Sequence, residues 1–402
     1  MPAVSQLLSF LAKGWEQKCL ELGIIKRQRG IKTPGDLMML NLFHLLNGCS
    51  LLEISEAGRL LNIGKFSDVA FMKRFEQCGE WFAWNCGQFA QRAVAQYQKP
   101  EYLKDYRVIA FDASDVVEKG CSGQRYRLHY GIDIFNMCTV SYKITRSEVG
   151  EALRNFPLQR GDLAIGDRAY GTVNGIDHCV KSGADFILRL RANGAKLYDD
   201  NGKAIDIVSK FQDLESEECG CFQAFVRMKV SAGDITKVSA GDIMKDSAGD
   251  ITKVSTGDIT KDSTCDKTRY EMLPVRVCVK RKSDADYEQT LKKLKRRESR
   301  KQCKVMDETK QFNRFIVVLT SLPQRVSAYD VLETYRYRWQ IEIYFKRLKS
   351  IMDLGELPKK REKSSLAWIN GKIMVALMIE LFLSSVAFSP RGQENGKPQH
   401  LA

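Results

Sequence analysis

The stretch Tyr335–Lys349, YRYRWQIEIYFKRLK, carries five basic residues and a single acid, Glu342. A carboxylate alone among cations is either half of a surface ion pair, or a metal ligand inside a surface that grips a polyanion. Two aspartates elsewhere bear on that choice. Asp112 ends the apolar run VIAF, and Asp167 closes the run LAIG in the same way. Aspartate at the end of a strand is by default a turn former. Two of them at strand ends of one sheet can also meet, because ligands of α/β sheets bind beyond the strand ends. Asp115 and Asp162 lie nearby but just past or before the apolar runs, and rank lower.

The element under Glu342 reads as one helix. At about 100° per residue, Tyr335, Arg338, Glu342, Lys346 and Lys349 fall on one polar stripe. Ile341, Tyr344, Phe345, Leu348 and Met352 form a separate apolar stripe suited to packing on a sheet. Taken alone, Arg338 and Glu342 are an ordinary i,i+4 pair worth a few tenths of a kcal/mol. A functional role for Glu342 depends on the two aspartates meeting this helix.

Other elements follow from pattern. Residues 1 to about 100 read as helices, two of them joined at Asn62-Ile63-Gly64 with Ser67 as a cap. That arrangement fits a helix-turn-helix, and a plain helical bundle shares it. From Tyr106 the runs RVIAFD, YRLHYGIDI and CTVSYKIT read as strands. GEALRNF reads as helical, followed by the strands DLAIGD and DFILRLRA around a helix near Val173 to Ser182. Together these predict a mixed α/β sheet. Residues 230–261 repeat the octapeptides VSAGDITK, VSAGDIMK, DSAGDITK and VSTGDITK, read as a tandem expansion in an exposed loop or irregular hairpin. Residues 291–304 hold eight Lys and Arg against one Glu, a solvated helix or a lining for a phosphate backbone. The strand RFIVVLT leads on to the Tyr335–Lys349 helix.

Composition narrows the partner. A chain of 402 residues with net charge +14 suggests more than one domain and a polyanionic partner, nucleic acid or an anionic membrane surface. The most apolar run, Ile373 to Phe388, is 16 residues long and interrupted by Glu380. A span needs roughly 20 apolar residues, so this reads as a buried helix and no membrane partner is expected. Twelve cysteines without a CxxC pair and only four histidines give no zinc spacing. With no leader of secretory type at the start, reduced thiols in a cytoplasm are expected.

The residues resemble the IS4 family of DDE transposases, the enzymes of bacterial insertion sequences. Its YREK signature is matched at every spacing by Tyr335, Arg338, Glu342 and Lys349. GDRAYG around Asp167, FDAS around Asp112, and the flanking RWQIE and FKRLKS are similar to the family too, over about residues 100–390. The resemblance implies an RNase H-like core with a β-rich insertion between the second Asp and the Glu, behind an N-terminal helical domain. The expected divisions are 1–100 (helical, DNA-binding), 101–192 and 313–390 (the two core parts), 193–312 (insertion) and 391–402 (tail). The octapeptide repeat departs from the usual insertion pattern. Asp112, Asp167 and Glu342 would then hold two Mg²⁺ ions, with Mn²⁺ able to substitute, Asp112 bridging both. Hard oxygen donors suit such ions. Tyr335, Arg338, Lys349, Lys346 and Arg168 would contact DNA, with Tyr170 a weaker candidate. The implied activity is cleavage at terminal inverted repeats and strand transfer to target DNA. A homodimer would pair two ends, near the bacterial nucleoid. Two further readings stand beside it: a transposase-derived DNA-binding protein without catalysis, and an RNase H-like nuclease.

Overall fold

Runs rich in Val, Ile and Phe pair into one sheet of ten strands. The computed structural model describes residues 7–26, 30–46, 48–90, 97–118, 125–230, 269–358 and 361–387. Helices come first, among the described residues α1 (Trp15–Glu21), α2 (Pro34–Leu46), α3 (Leu51–Leu60), α4 (Asp68–Gln77) and α5 (Gly79–Phe89). Ser50 and Glu53 close a capping box on α3, and Ser67 caps α4 through the Ala70 N–H. A meander follows, β1 (Arg107–Glu118), β2 (Arg125–Asp133) and β3 (Cys138–Arg146). Then come β4 (Asp162–Gly166), α6 (Val173–Lys181) and β5 (Asp185–Arg189). The insertion contributes β6 (Leu197–Tyr198), α7 (Ile207–Lys210), the long hairpin β7 (Cys219–Val230) and β8 (Arg269–Arg281), then α8 (Asp284–Lys301) and α9 (Asp307–Phe312). The chain returns through β9 (Phe315–Thr320), α10 (Ala328–Arg336), α11 (Trp339–Ile351), β10 (Glu356–Leu357) and α12 (Glu362–Ala387).

The strand order is β3-β2-β1-β4-β5-β9-β8-β7-β6, with β10 beside β1. β1, β4 and β5 are parallel neighbours, and β9 runs antiparallel to both β5 and β8. The β-rich insertion therefore prolongs the core sheet. Strand alternation sends Val108 and Ala110 to one face and Ile109 and Phe111 to the other, so β1 is buried on both sides. The first face is covered by α11 and by the N-terminal helices with α12. The second carries α6 and the insertion's apolar residues. By length and composition α12 could cross a membrane, but most of that stretch is buried, packed against α2, α4 and α5.

Four expectations are corrected. GEALRNF makes only a 3-10 turn, Leu153–Asn155. Ala152 is extended, and Pro157 disfavours a helical Phe156 before it. Asp112 does not end its strand, because β1 runs on to Glu118 beside β2. The stretch Tyr335–Lys349 is not one helix: α10 stops at Arg336 and α11 starts at Trp339. Between them the N–H groups of Tyr337, Arg338, Gln340 and Ile341 bond three residues back, a tighter 3-10 winding that breaks the projected stripe. Tyr170, a weak candidate for DNA contact, is fully buried among Phe156 and Gly166. The octapeptide repeat beyond Val230 and the tail 391–402 lie outside the described residues.

Candidate active site

The parallel register of β1 and β4 sets the first pair. Its last partners are Phe111 and Gly166, so the next residues on the two chains are Asp112 and Asp167. β4 ends there while β1 continues. Asp167 turns the chain: its Oδ1 accepts from the Ala169 N–H at 2.8 Å, and its carbonyl accepts from Tyr170 and Gly171. Two glycines let this turn lie flat on the sheet. A Cβ on Gly171 would stand 2.0 Å from the Arg189 carbonyl oxygen, and one on Gly166 would stand 2.7 Å from Tyr170 Cβ. That is the physical content of GDRAYG.

Asp112 Oδ1 accepts from the Ala113 N–H at 2.8 Å. Burial pushes the Asp112 carboxyl up to about 7, and the charges of Asp167 and Glu151 push the same way against Ala113 and Arg338. Glu151, from the turn before Leu153, is itself raised by burial and then by Asp167 and Asp115. The lower-ranked acids are otherwise engaged. Asp162, 1% exposed, makes a two-pronged ion pair with Arg107 at 2.7 and 3.0 Å, and Asp115 pairs with Arg127 at 2.9 Å.

The third carboxylate is positioned by aromatic packing. Tyr130 is the register partner of Asp112, and Tyr344 stacks on it with ring centroids 4.9 Å apart and hydroxyls 2.8 Å apart. The apolar stripe Ile341, Tyr344, Phe345, Leu348 and Met352 is buried, as its spacing predicts. Glu342 therefore sits above Asp112, and the two share a cleft of about 550 Å³ with Lys346 and Lys349. Asp167 opens into a neighbouring cavity of about 380 Å³ with Arg168, Tyr335 and Arg338. The five polar residues projected onto one stripe thus divide between two cavities. Arg338 links them: its guanidinium bonds Glu342 and feels the charges of Asp112 and Asp167.

Among the described residues no three His, Cys, Asp or Glu side chains stand close enough to hold one ion. Asp112 and Asp167 are brought together, and Glu342 faces Asp112 across the cleft while tied to Arg338. The donors nevertheless fit a hard divalent ion. They are all carboxylate oxygens, and the desolvation that disfavours the half-buried Asp112 charge is a cost that a bound cation would offset.

The transposase DDE domain model matches residues 103–378, well over half of the chain. This protein belongs to the DDE transposase family. The transposase for insertion sequence element IS421 of Escherichia coli is 26% identical over 383 residues, covering 93% of this chain and 92% of the relative. InsL, assigned to insertion sequence element IS186A of Escherichia coli (strain K12), is 26% identical over 382 residues with the same coverage. The chain is thus a DNA transposase of insertion-sequence type with an RNase H-like α/β core, as the IS4 resemblance implied. In this transposase the sequence did not reveal Glu151, Arg189 or Lys282. Glu151 sits in a misread turn, and Arg189 and Lys282 reach the Asp167 cavity only once β5, β8 and β9 are side by side.

Proposed function

We propose that this transposase cuts DNA at the inverted repeats of its element and joins the ends to a target, using Asp112, Asp167 and Glu342. The observation that carries this reading is the β1–β4 register, which sets Asp112 beside Asp167 under the Glu342 helix. The three carboxylates would hold two Mg²⁺ ions, or Mn²⁺ in their place. Such ions, when bound, generate the nucleophilic oxygen and stabilise the leaving one. The chain supplies the rest. Lys346 and Lys349 line the cleft beside Glu342 and would hold phosphates there. Arg338 would exchange Glu342 for a DNA phosphate, freeing that carboxylate as the strand is seated. The α3–α4 pair, joined by a short turn, is proposed to read the end, and two copies would bring two ends together in the bacterial cytoplasm.

The test uses a duplex carrying the element end, Mg²⁺, and the variants Asp112→Ala, Asp167→Ala and Glu342→Ala. Each should remove strand nicking while leaving binding to the end largely intact. If binding fell as far as nicking, the residues would be structural. If the unaltered protein bound the end and never nicked it, the DNA-binding reading would replace this one.

A further inference from the structure

The cavity at Asp167 has two walls from distant parts of the chain. The core gives Arg168, Arg189 and Arg338, and the insertion gives Lys282 at the end of β8 with Lys293 and Arg297 on α8. Six cations therefore face one lining carboxylate, Asp167. They crowd one another: burial and then the charges of Arg189 and Arg168 pull the Lys282 ammonium down to about 8. Like charges packed this way are costly unless an anion comes between them.

The hydrogen-bond inventory points to the same ligand. Three residues that line this cavity each carry a buried donor without a partner: Arg168 Nε, Arg338 Nε and the hydroxyl of Tyr335, a residue only 8% exposed. Buried donors are ordinarily satisfied, so three without a partner beside one cation-lined cavity leave donor capacity that a bound phosphate could draw on as the side chains turn toward it. The neighbouring groups hold the donors in place. Arg168 Nη2 donates to Asn313 Oδ1 at 3.0 Å, and Lys282 Nζ donates to the Asn313 carbonyl at 2.7 Å and to Thr290 at 3.1 Å. An ammonium has three protons, so Lys282 keeps one to offer.

We infer that this cavity is a phosphodiester seat shared by core and insertion, in which Lys282, Lys293 and Arg297 hold a backbone phosphate next to the one proposed to be cut at Asp112, Asp167 and Glu342. The inference rests on the proposed function for its ligand and extends it to the insertion, which becomes one jaw of the DNA grip. Lys282 and Arg168 bind inside the cavity, and Lys293 and Arg297 close its rim from the exposed helix α8.

The test measures binding of an end-bearing duplex by fluorescence anisotropy, with single phosphates replaced in turn by neutral methylphosphonate. All proteins carry Asp112→Ala so that no strand is cut. One or two neutralised phosphates beside the cleavage position should weaken the parent. In Lys293→Gln/Arg297→Gln those penalties should shrink about fivefold, and the salt slope should drop by about two. Lys282→Met, a buried change, should shrink the same penalties, and circular dichroism checks its fold. The rim double variant stays informative if Lys282→Met misfolds. Equal penalties at every phosphate in parent and variants, with binding still specific for the end, would overturn this inference alone. No preference for the end over a scrambled duplex would overturn the proposed function with it. Saturation by inorganic phosphate with no coupling to any DNA phosphate also overturns it, since the seat would then be for free phosphate.

Discussion

Asp112 carries opposed demands from folding and from chemistry. Its carboxyl is half-buried, and that desolvation, helped by the charges of Asp167 and Glu151, raises it from 3.8 to about 7. Below about pH 4 both folded and unfolded chains hold the proton, so the residue is neutral to stability. Between about 4 and 7 the folded chain keeps a proton that the unfolded chain has released, so stability falls as pH rises. Above 7 the full penalty remains. Asp112→Asn cannot ionise, and should therefore be more stable than the parent at pH 8, on the order of 1–3 kcal/mol. At pH 3.5 the two should unfold together. Urea denaturation at both pH values, with chelator present, checks this. A variant no more stable at pH 8 would mean that Asp112 already has its compensating cation in the free protein. Stability gained by deleting a carboxylate that is proposed to serve nicking would be the expected sign of a functional site.

At the scale of elements, the turn after β4 is the most demanding piece. Gly171 lies against β5 so closely that any Cβ would overlap the Arg189 carbonyl, and backbone cannot swing aside as a side-chain tip can. Gly171→Ala should therefore lower stability by about 2–3 kcal/mol and displace Asp167, reducing nicking while binding of the end changes less. Thermal unfolding with a nicking assay tests it, and an alanine variant with unchanged melting temperature would count against the close packing. The motif GDRAYG was legible as a sequence, but its reason was not, because Arg189 enters only through the β4–β5 pairing. The same holds elsewhere. The apolar stripe of α11 was readable from its period, since each of its residues packs on the sheet. The 3-10 break at Tyr337 was not, because one projection of Tyr335–Lys349 assumes uniform winding. Asp112 looked like a strand end because VIAF stops there, whereas nine register pairs with β2 carry β1 past it.

For the whole molecule, the sheet decides what the insertion is. β8 pairs with β9 from Arg276–Thr320 to Arg281–Phe315, so the insertion is built onto the strand that leads to α10 and α11. No local pattern in residues 193–312 shows that, because antiparallel runs pair equally well with each other or with a core edge. The hairpin β7–β8 stays in register out to Val230–Arg269, where the repeat segment leaves and re-enters. The two residues thus stand opposite each other, spaced for a tight turn. Replacing residues 231–268 with Asn-Gly should leave the hairpin intact and, by shortening the closed segment, add about 2 kcal/mol of stability. A rise in melting temperature with unchanged nicking would make the octapeptides a tolerated expansion. A rise accompanied by faster nicking would mean that they hinder DNA at the insertion's jaw. A fall in melting temperature would overturn the prediction, because it would require the repeats to contribute packing that the β7–β8 hairpin does not supply.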